Sequence, residues 1–462
     1  TALFFFFLGG VTALLMRTEL SATGPTIVSA NTYQTLFTLH GTGMIFLFLI
    51  PMFIGFGNYF VPKLIGADDM AYPRLNALTY WMIPPAGALI WLSMAAVGWT
   101  GYAPLSTKIY MPGLGVDLWI VGLHLIGVSS ILGGFNFVVT ILKRRRPDLR
   151  LMDMSIFVWM MLVTSFLILA ATPALATALT FLLLDRNLGT AFFLPQLGGD
   201  ALLWQHLFWF YSHPAVYIMI LPGMGLISEI IPAFARKRRI FGYTSMVVAG
   251  LLIGILGFGV WAHHMFTTGM SIEAQLPFML MSFAIALPSG VKTFNWIATL
   301  YGGRIKLSTP MKFAVSFVAT FVVAGITGVF QAAIPIDYAL QDTYYVVGHL
   351  HWMLFGASAQ SVFAALYYYF PELTGRKIGE SLGTIHFVLT NVGLYGLLTA
   401  FTLLGLEGMP RRVFDYLPEL ADLNLLATVF AFTIALGQGV FLYNLVKSWL
   451  RGEPAGENPW QL

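Results

Sequence analysis

Six of the nine histidines in this 462-residue chain have spacings that suit metal ligation. His263 and His264 are adjacent in Val-Trp-Ala-His-His-Met, and His213 lies in Tyr-Ser-His-Pro-Ala-Val-Tyr. Together they could give three nitrogens to a single copper ion. Tyr217 follows His213 by four residues, on the same helical face, so its phenol lies beside that ion. His349 and His351 are two apart in Gly-His-Leu-His. On a helix that spacing is about 200° around the axis, so one helix could hold two cofactors, one on each flank. His40, in His-Gly-Thr-Gly-Met, completes the set. The chain has no cysteine, so neutral imidazole must be the ligand, which suits iron and copper. Each histidine alone reads better as a satisfied core residue, and the case for ligation rests on the set. His124, His206 and His386 lack such partners and are read as core residues.

These residues need elements to place them, and composition says what kind. Only 10% of the residues are charged and 58% are hydrophobic, whereas soluble domains carry about 25% charged residues. With a mean hydropathy of +0.79, the chain cannot solvate a water-facing surface, which excludes secreted soluble enzymes and disordered chains. The missing cysteines exclude disulfides, thiolate metal sites and iron–sulfur ligation by this chain. A net charge of +4, scattered along the sequence, points to no nucleic-acid partner. At roughly 20 apolar residues per span, the expectation is an all-α polytopic membrane protein, a single domain over residues 1–462 with twelve transmembrane helices. Apolar runs lie at roughly 33–62, 78–101, 119–142, 154–184, 204–232, 240–264, 272–302, 310–330, 344–370, 382–406 and 425–450. The opening Thr-Ala-Leu-Phe-Phe-Phe-Phe run reads as an incomplete first span, with residues expected upstream.

Basic residues orient the bundle. Lys143-Arg144-Arg145-Arg146, Arg236-Lys237-Arg238-Arg239, Arg304 with Lys306 and Lys312, and Arg376-Lys377 follow spans 4, 6, 8 and 10, and Lys447 with Arg451 follows span 12. Even-numbered spans therefore end inside, with both termini inside. The six histidines then converge on the outer third of the bilayer. Arg411-Arg412 breaks the pattern by lying outside, where two adjacent arginines want anions: a cofactor's carboxylates, or a loop salt bridge with Glu407 or Asp415. On the inner side, Asp69 lies in a loop, with Asn58, Asn76 and Asn136 as amides that could hold a water chain. Lys292 sits inside span 8, where a lysine costs about 2.5–3.5 kcal/mol on insertion scales. It reads either as a snorkelling side chain or as a proton conductor toward the histidines, extended by Ser289, Ser228 and Tyr217.

The segments HGTGMIF, VPKLIGADDMAYPRLN, WQHLFWFYSHPAVY, VWAHHMFTTGM, DTYYVVGHLHW and GMPRR closely resemble subunit I of the haem–copper oxygen reductases, in order and across the whole chain. The resemblance implies a low-spin haem held by His40 and His351, a high-spin haem held by His349, and copper at His213, His263 and His264. It implies a covalent bond between Tyr217 and His213. Arg411, Arg412 and Trp99 correspond to haem-propionate partners, and Arg17 to an arginine at the low-spin haem's edge, compatible with a formyl-bearing haem of the A type. Asp69, Asn58, Asn76 and Asn136 match one proton channel, and Lys292 matches the lysine of a second. The implied activity is proton-pumping reduction of dioxygen to water.

The sequence departs from the common pattern twice. Where many members carry a glutamate that relays protons, this chain has Ala215, as in a subgroup where a Tyr-Ser pair substitutes. Tyr211 shares a helical face with Ala215, so Tyr211 with Ser212 is expected to complete the relay. Gln341 stands where many members have the histidine of a magnesium-ligating His-Asp pair. An amide oxygen is a weaker ligand, although Asp342 remains. Expected partners are a subunit II, with a dinuclear copper centre if the donor is cytochrome c rather than quinol, and a subunit III, in a prokaryotic cytoplasmic membrane. Nitric oxide reductases share the six histidines but carry iron and nearby acids in place of copper, and Tyr217 and Lys292 argue against that reading. A histidine-based proton-coupled transporter is the rival of another class, and it would bind no haem.

Overall fold

The computed structural model describes residues 1–462, and its regular elements are all helical, joined by loops that hold two isolated β-bridges. In chain order the helices are α1 (Ala2–Glu19), α2 (Ala30–Thr42), α3 (Ile50–Ile65), α4 (Pro73–Ser93), α5 (Gly115–Lys143), α6 (Ile156–Asn187), α7 (Ala201–Phe234) and α8 (Tyr243–Leu256). They continue with α9 (Ile272–Ala284), α10 (Ala286–Leu300), α11 (Thr309–Ala332), α12 (Ile334–Leu340), α13 (Tyr344–Met353), α14 (Gln360–Thr374), α15 (Glu380–Leu406) and α16 (Ala421–Arg451). Nine helical segments are long and apolar enough to cross a membrane. Three further helical stretches, α4, α8 and α13–α14, occupy the remaining apolar runs.

The helix starts follow ordinary capping chemistry. Ser29, Ser155, Asp200, Ser271 and Thr343 each accept a backbone N–H from the first turn of α2, α6, α7, α9 and α13. Proline opens α4 and α11, where its missing N–H costs nothing.

Two expected spans end early. The run at 78–101 stops being helical at Ser93, because Met94, Gly98, Trp99 and Gly101 all take positive φ, which a right-handed helix cannot accommodate. The released segment is tied down by Arg186 of α6, fully buried, which donates to the carbonyls of Ser106, Met111 and Gly113 and pairs with Asp117 at 2.6 Å. The run at 240–264 likewise ends as a helix at Leu256. A separate tight turn over Trp261–Met265 then carries His263 and His264.

The reverse happens at 30–65, where α2 and α3 join without a break through a wide π-helical stretch, Gly43–Leu49. A second such stretch, Leu354–Ala359, joins α13 to α14. Each begins three residues after a histidine, His40 and His351 respectively. Such widenings are frequent at functional sites. Both border the main internal cavity, of about 810 Å³, which His40, His213, His263, His264, His349 and His351 all line.

Candidate metal and haem centre

At one end of the cavity, His40 and His351 face each other. The His40 Nδ1 is 3.0 Å from the Gly9 carbonyl of α1, and the His351 Nδ1 is 2.8 Å from the Val347 carbonyl of its own helix. A carbonyl only accepts, so each Nδ1 carries the proton and each Nε2 is a free lone pair. The rings are parallel within 9°, with centroids 6.1 Å apart. Two metal–nitrogen bonds of about 2 Å plus the ring radii span that gap, so one flat metal cofactor fits between them. Gly41, next to His40, lets Trp99 pack against α2, because a Cβ there would sit 2.9 Å from the Trp99 Cβ.

His349 lies two residues from His351 on α13 and is turned toward α11. Its Nδ1 lies 3.0 Å from the Thr327 hydroxyl and 3.1 Å from the Ala324 carbonyl, again leaving Nε2 free. Gly328 gives the ring room, since a Cβ there would come within 2.7 Å of the His349 Cε1.

Beyond it, His213, His263 and His264 bring three ligand nitrogens within 4.8 Å of one another. The His264 Nε2 is 3.2 Å from both the His213 Nδ1 and the His263 Nε2. Side chains support two of the three rings. Ser282 lies 2.7 Å from the His263 Nδ1, and the Trp209 indole stacks on His264 at 3.9 Å and 14°. The His213 Nε2 is buried without a partner, while the Tyr217 ring stands 4.8 Å from the His213 ring. Three converging imidazoles in an apolar cavity, one backed by a hydrogen bond and one by a stacked indole, are a donor set for a transition metal.

Above the cavity, Arg411 pairs with Asp342, with its Nη2 2.5 Å from the Asp342 Oδ1, and not with Glu407 or Asp415. Arg412 has φ +67 and is largely buried, and its Nε and Nη2 have no partner. Burial and the adjacent Arg411 bring its guanidinium down to about 10. Positive charge here exceeds what Asp342 neutralises, and orphaned N–H groups await acceptors, which fits cofactor carboxylates. Trp99 packs between Gly41 and Trp209. Arg17 lies to one side: one amino group bonds to Asn424 and Thr428, while its Nε and Nη1 are unpartnered.

The remaining expected residues are more dispersed. Lys292 is fully buried, and the one partner of its Nζ is the Met160 sulfur at 3.4 Å. Ser228 accepts from the Trp296 indole, and Ser289 donates to the carbonyl of Ile285, at the junction of α9 and α10. Tyr211 is buried and stacked on Phe46, and the Ser212 hydroxyl has no partner. Asp69 is exposed, the Asn58 carbonyl oxygen is buried and unpartnered, and Asn76 is half-buried. Asn136 spends both its amide atoms on the backbone of Tyr72. Ser282, Thr327, Trp209 and the buried Asp337 escaped the sequence reading. Trp209, four residues before His213, had a signal in its spacing, whereas Ser282 and Thr327 reach their histidines only through packing.

A family model described as cytochrome c and quinol oxidase polypeptide I matches residues 1–433. The chain belongs to this family. It is subunit I of a haem–copper terminal oxidase, an oxidoreductase of respiratory electron transport, and membership implies haem and copper. Cytochrome c oxidase polypeptide 1 of Halobacterium salinarum is 48% identical over 98% of this chain and 77% of its own length. Cytochrome c oxidase subunit 1 of Thermostichus vulcanus is 47% identical over the whole chain and 84% of its own. A cryo-EM structure of a haem–copper terminal oxidase dimer shares the fold, with a TM-score of 0.81 at 21% identity over 98% of this chain and 83% of that one.

Proposed function

We propose that the chain is the catalytic subunit of a proton-pumping oxidase that reduces dioxygen to water, with electrons arriving through a low-spin haem between His40 and His351. The observation that carries this is the pairing of two parallel imidazoles 6.1 Å apart with three nitrogens within 4.8 Å in one cavity. His349 would hold the high-spin haem, and His213, His263 and His264 the copper. When bound, haem iron and copper supply oxygen binding and its four-electron reduction.

The chain's own groups supply the rest. Tyr217 is placed to give a proton and an electron at the centre, and the unpartnered Nε2 of His213 beside it suits a covalent link between the two. Arg411, Arg412 and Trp99 hold the haem carboxylates, and the free N–H groups of Arg17 suit a formyl oxygen at the low-spin haem's edge. Protons reach the centre by two routes. One runs from Asp69 past Asn76, Asn136 and Asn58 to Tyr211 and Ser212, and the other passes Ser228, Lys292 and Ser289 to Tyr217. Moving each charge across the membrane costs about 2.3 kcal/mol per 100 mV, which oxygen reduction drives. In this reading both termini face the inner side of a prokaryotic cytoplasmic membrane, an orientation that the basic loops support.

The partners of this reading are a subunit II carrying a dinuclear copper centre, cytochrome c as donor, and a subunit III. Visible spectroscopy and metal analysis of the purified complex test it. Two haem signals with about three coppers support it, one copper makes the donor a quinol, and a colourless protein refutes it.

A further inference from the structure

At the outer rim, the Gln341 amide is committed inward: its Nε2 donates to the His264 backbone carbonyl at 2.8 Å. Next to it, the Asp342 carboxylate takes both Nε and Nη2 of Arg411, at 2.7 and 2.5 Å, through one oxygen. The backbone fixes this arrangement. Asp342 has φ +59, Arg411 N–H donates to the Asp342 carbonyl at 2.8 Å, and Tyr344 N–H donates to Met409. A hard divalent cation here would need several oxygen ligands in near-octahedral order. It would find one Asp342 oxygen already shared by two guanidinium N–H groups, the Gln341 amide committed to His264, and the unpartnered guanidinium of Arg412 close by. The residues present do not fit magnesium.

His264 also gains from the arrangement. It sits on a short turn, Trp261–Met265, rather than on a long helix, so its main chain depends on outside contacts for its position. Trp209 fixes the ring from one side, and Gln341 holds the carbonyl from the other. We propose that Gln341 is a positioning residue for the copper ligand His264, a direct amide strap occupying the place of a divalent cation that this oxidase does not bind. The inference rests on copper being held by His213, His263 and His264.

The test uses the intact oxidase complex, prepared with excess manganese as an EPR probe, beside Gln341→Glu, Gln341→Leu and Gln341→His variants. Glutamate keeps the shape and loses the donor, leucine loses all polarity, and histidine restores an N–H. Removing a group that supports a metal ligand costs about 10–100-fold in metal affinity. Copper affinity in Gln341→Glu and Gln341→Leu is therefore expected to fall by that factor, with a shifted infrared band for carbon monoxide photolysed onto copper. Gln341→His is expected to recover both, and an unaltered low-spin haem spectrum in every variant shows that the fold is kept. The wild type is expected to hold no stoichiometric manganese. Bound manganese, or unchanged copper affinity in both donor-less variants, overturns the proposal. Absence of copper from the wild type overturns the copper reading instead.

Discussion

The histidine cluster and the residues proposed for the proton paths are polar groups in an apolar bundle, most of them buried, yet several of them are held in different ways. Around the cluster, His40, His263, His349 and His351 each have the back nitrogen hydrogen-bonded, to Gly9, Ser282, Thr327 with Ala324, and Val347. On the paths, Lys292 touches one sulfur, and Ser212 and Asn58 each leave an oxygen without a partner. A ligand set gains from being fixed before the metal arrives. A proton conductor must exchange partners, and vacant donors and acceptors are what waters occupy. Backed nitrogens mark four of the six histidines, whereas Lys292, Ser212 and Asn58 on the proposed paths are left with few partners or none.

Substitutions can break that contrast. The largest effect is expected at a ligand itself: His264→Ala should strip copper and lower oxygen uptake by more than about 100-fold, beyond what loss of a supporting partner costs. Copper-to-iron ratio and oxygen electrode measurements check this, and retained copper would mean that the three nitrogens are not one site. Lys292→Met should slow turnover by about 100-fold, the scale of a lost proton donor. The same change should raise thermal stability by up to about 3 kcal/mol, since an intramembrane lysine is removed. A slower but less stable variant would show that Lys292 is structural. Ser282→Ala should weaken copper binding by about tenfold and leave the low-spin spectrum unchanged. Equal damage to both centres would blur the distinction drawn here.

Smaller effects belong to the relay and to the rim. Tyr211→Phe should keep oxygen uptake within about threefold, less than a lost catalytic acid or base costs, while fewer protons are released per electron. Pumping at the normal stoichiometry would remove Tyr211 from the relay. Asp337, on the short α12, is buried, and burial, then Asp342, push its carboxyl up to about 7 against the pull of Arg411. The folded protein therefore keeps a proton that the unfolded chain loses at about pH 4. Stability contributed by this group falls as pH rises from about 4 and levels off above about 7. Asp337→Asn should flatten that slope and remove a protonated-carboxyl infrared band that titrates near neutrality.

Much of the site was legible because its chemistry needs particular residue types at particular spacings. His213 with Tyr217, and His349 with His351, are intrahelical relationships, fixed by 3.6 residues per turn wherever the helix packs. Scarce charge in long apolar runs specified membrane helices, and Arg411-Arg412 stood out because it broke the basic-loop pattern. The helix ends were less legible. Trp99 was expected at the end of a span and lies in a loop, because a run of positive φ values overrides an apolar sequence that otherwise reads as helix. The π-helical stretches after His40 and His351 carry no periodicity of their own to announce them.

By itself, then, the sequence determined the class of the molecule, its candidate ligands, and which of them share a helix, since these follow from side-chain chemistry and local geometry. The tertiary structure alone decided what crosses between helices: that His40 meets His351 with parallel rings 6.1 Å apart, that Ser282 and Thr327 back their histidines, and that Gln341 turns inward while Asp342 closes on Arg411. Such contacts join residues tens to hundreds of positions apart, and no local propensity encodes them. They exist because close packing leaves each polar group in the apolar interior only a few partners within reach.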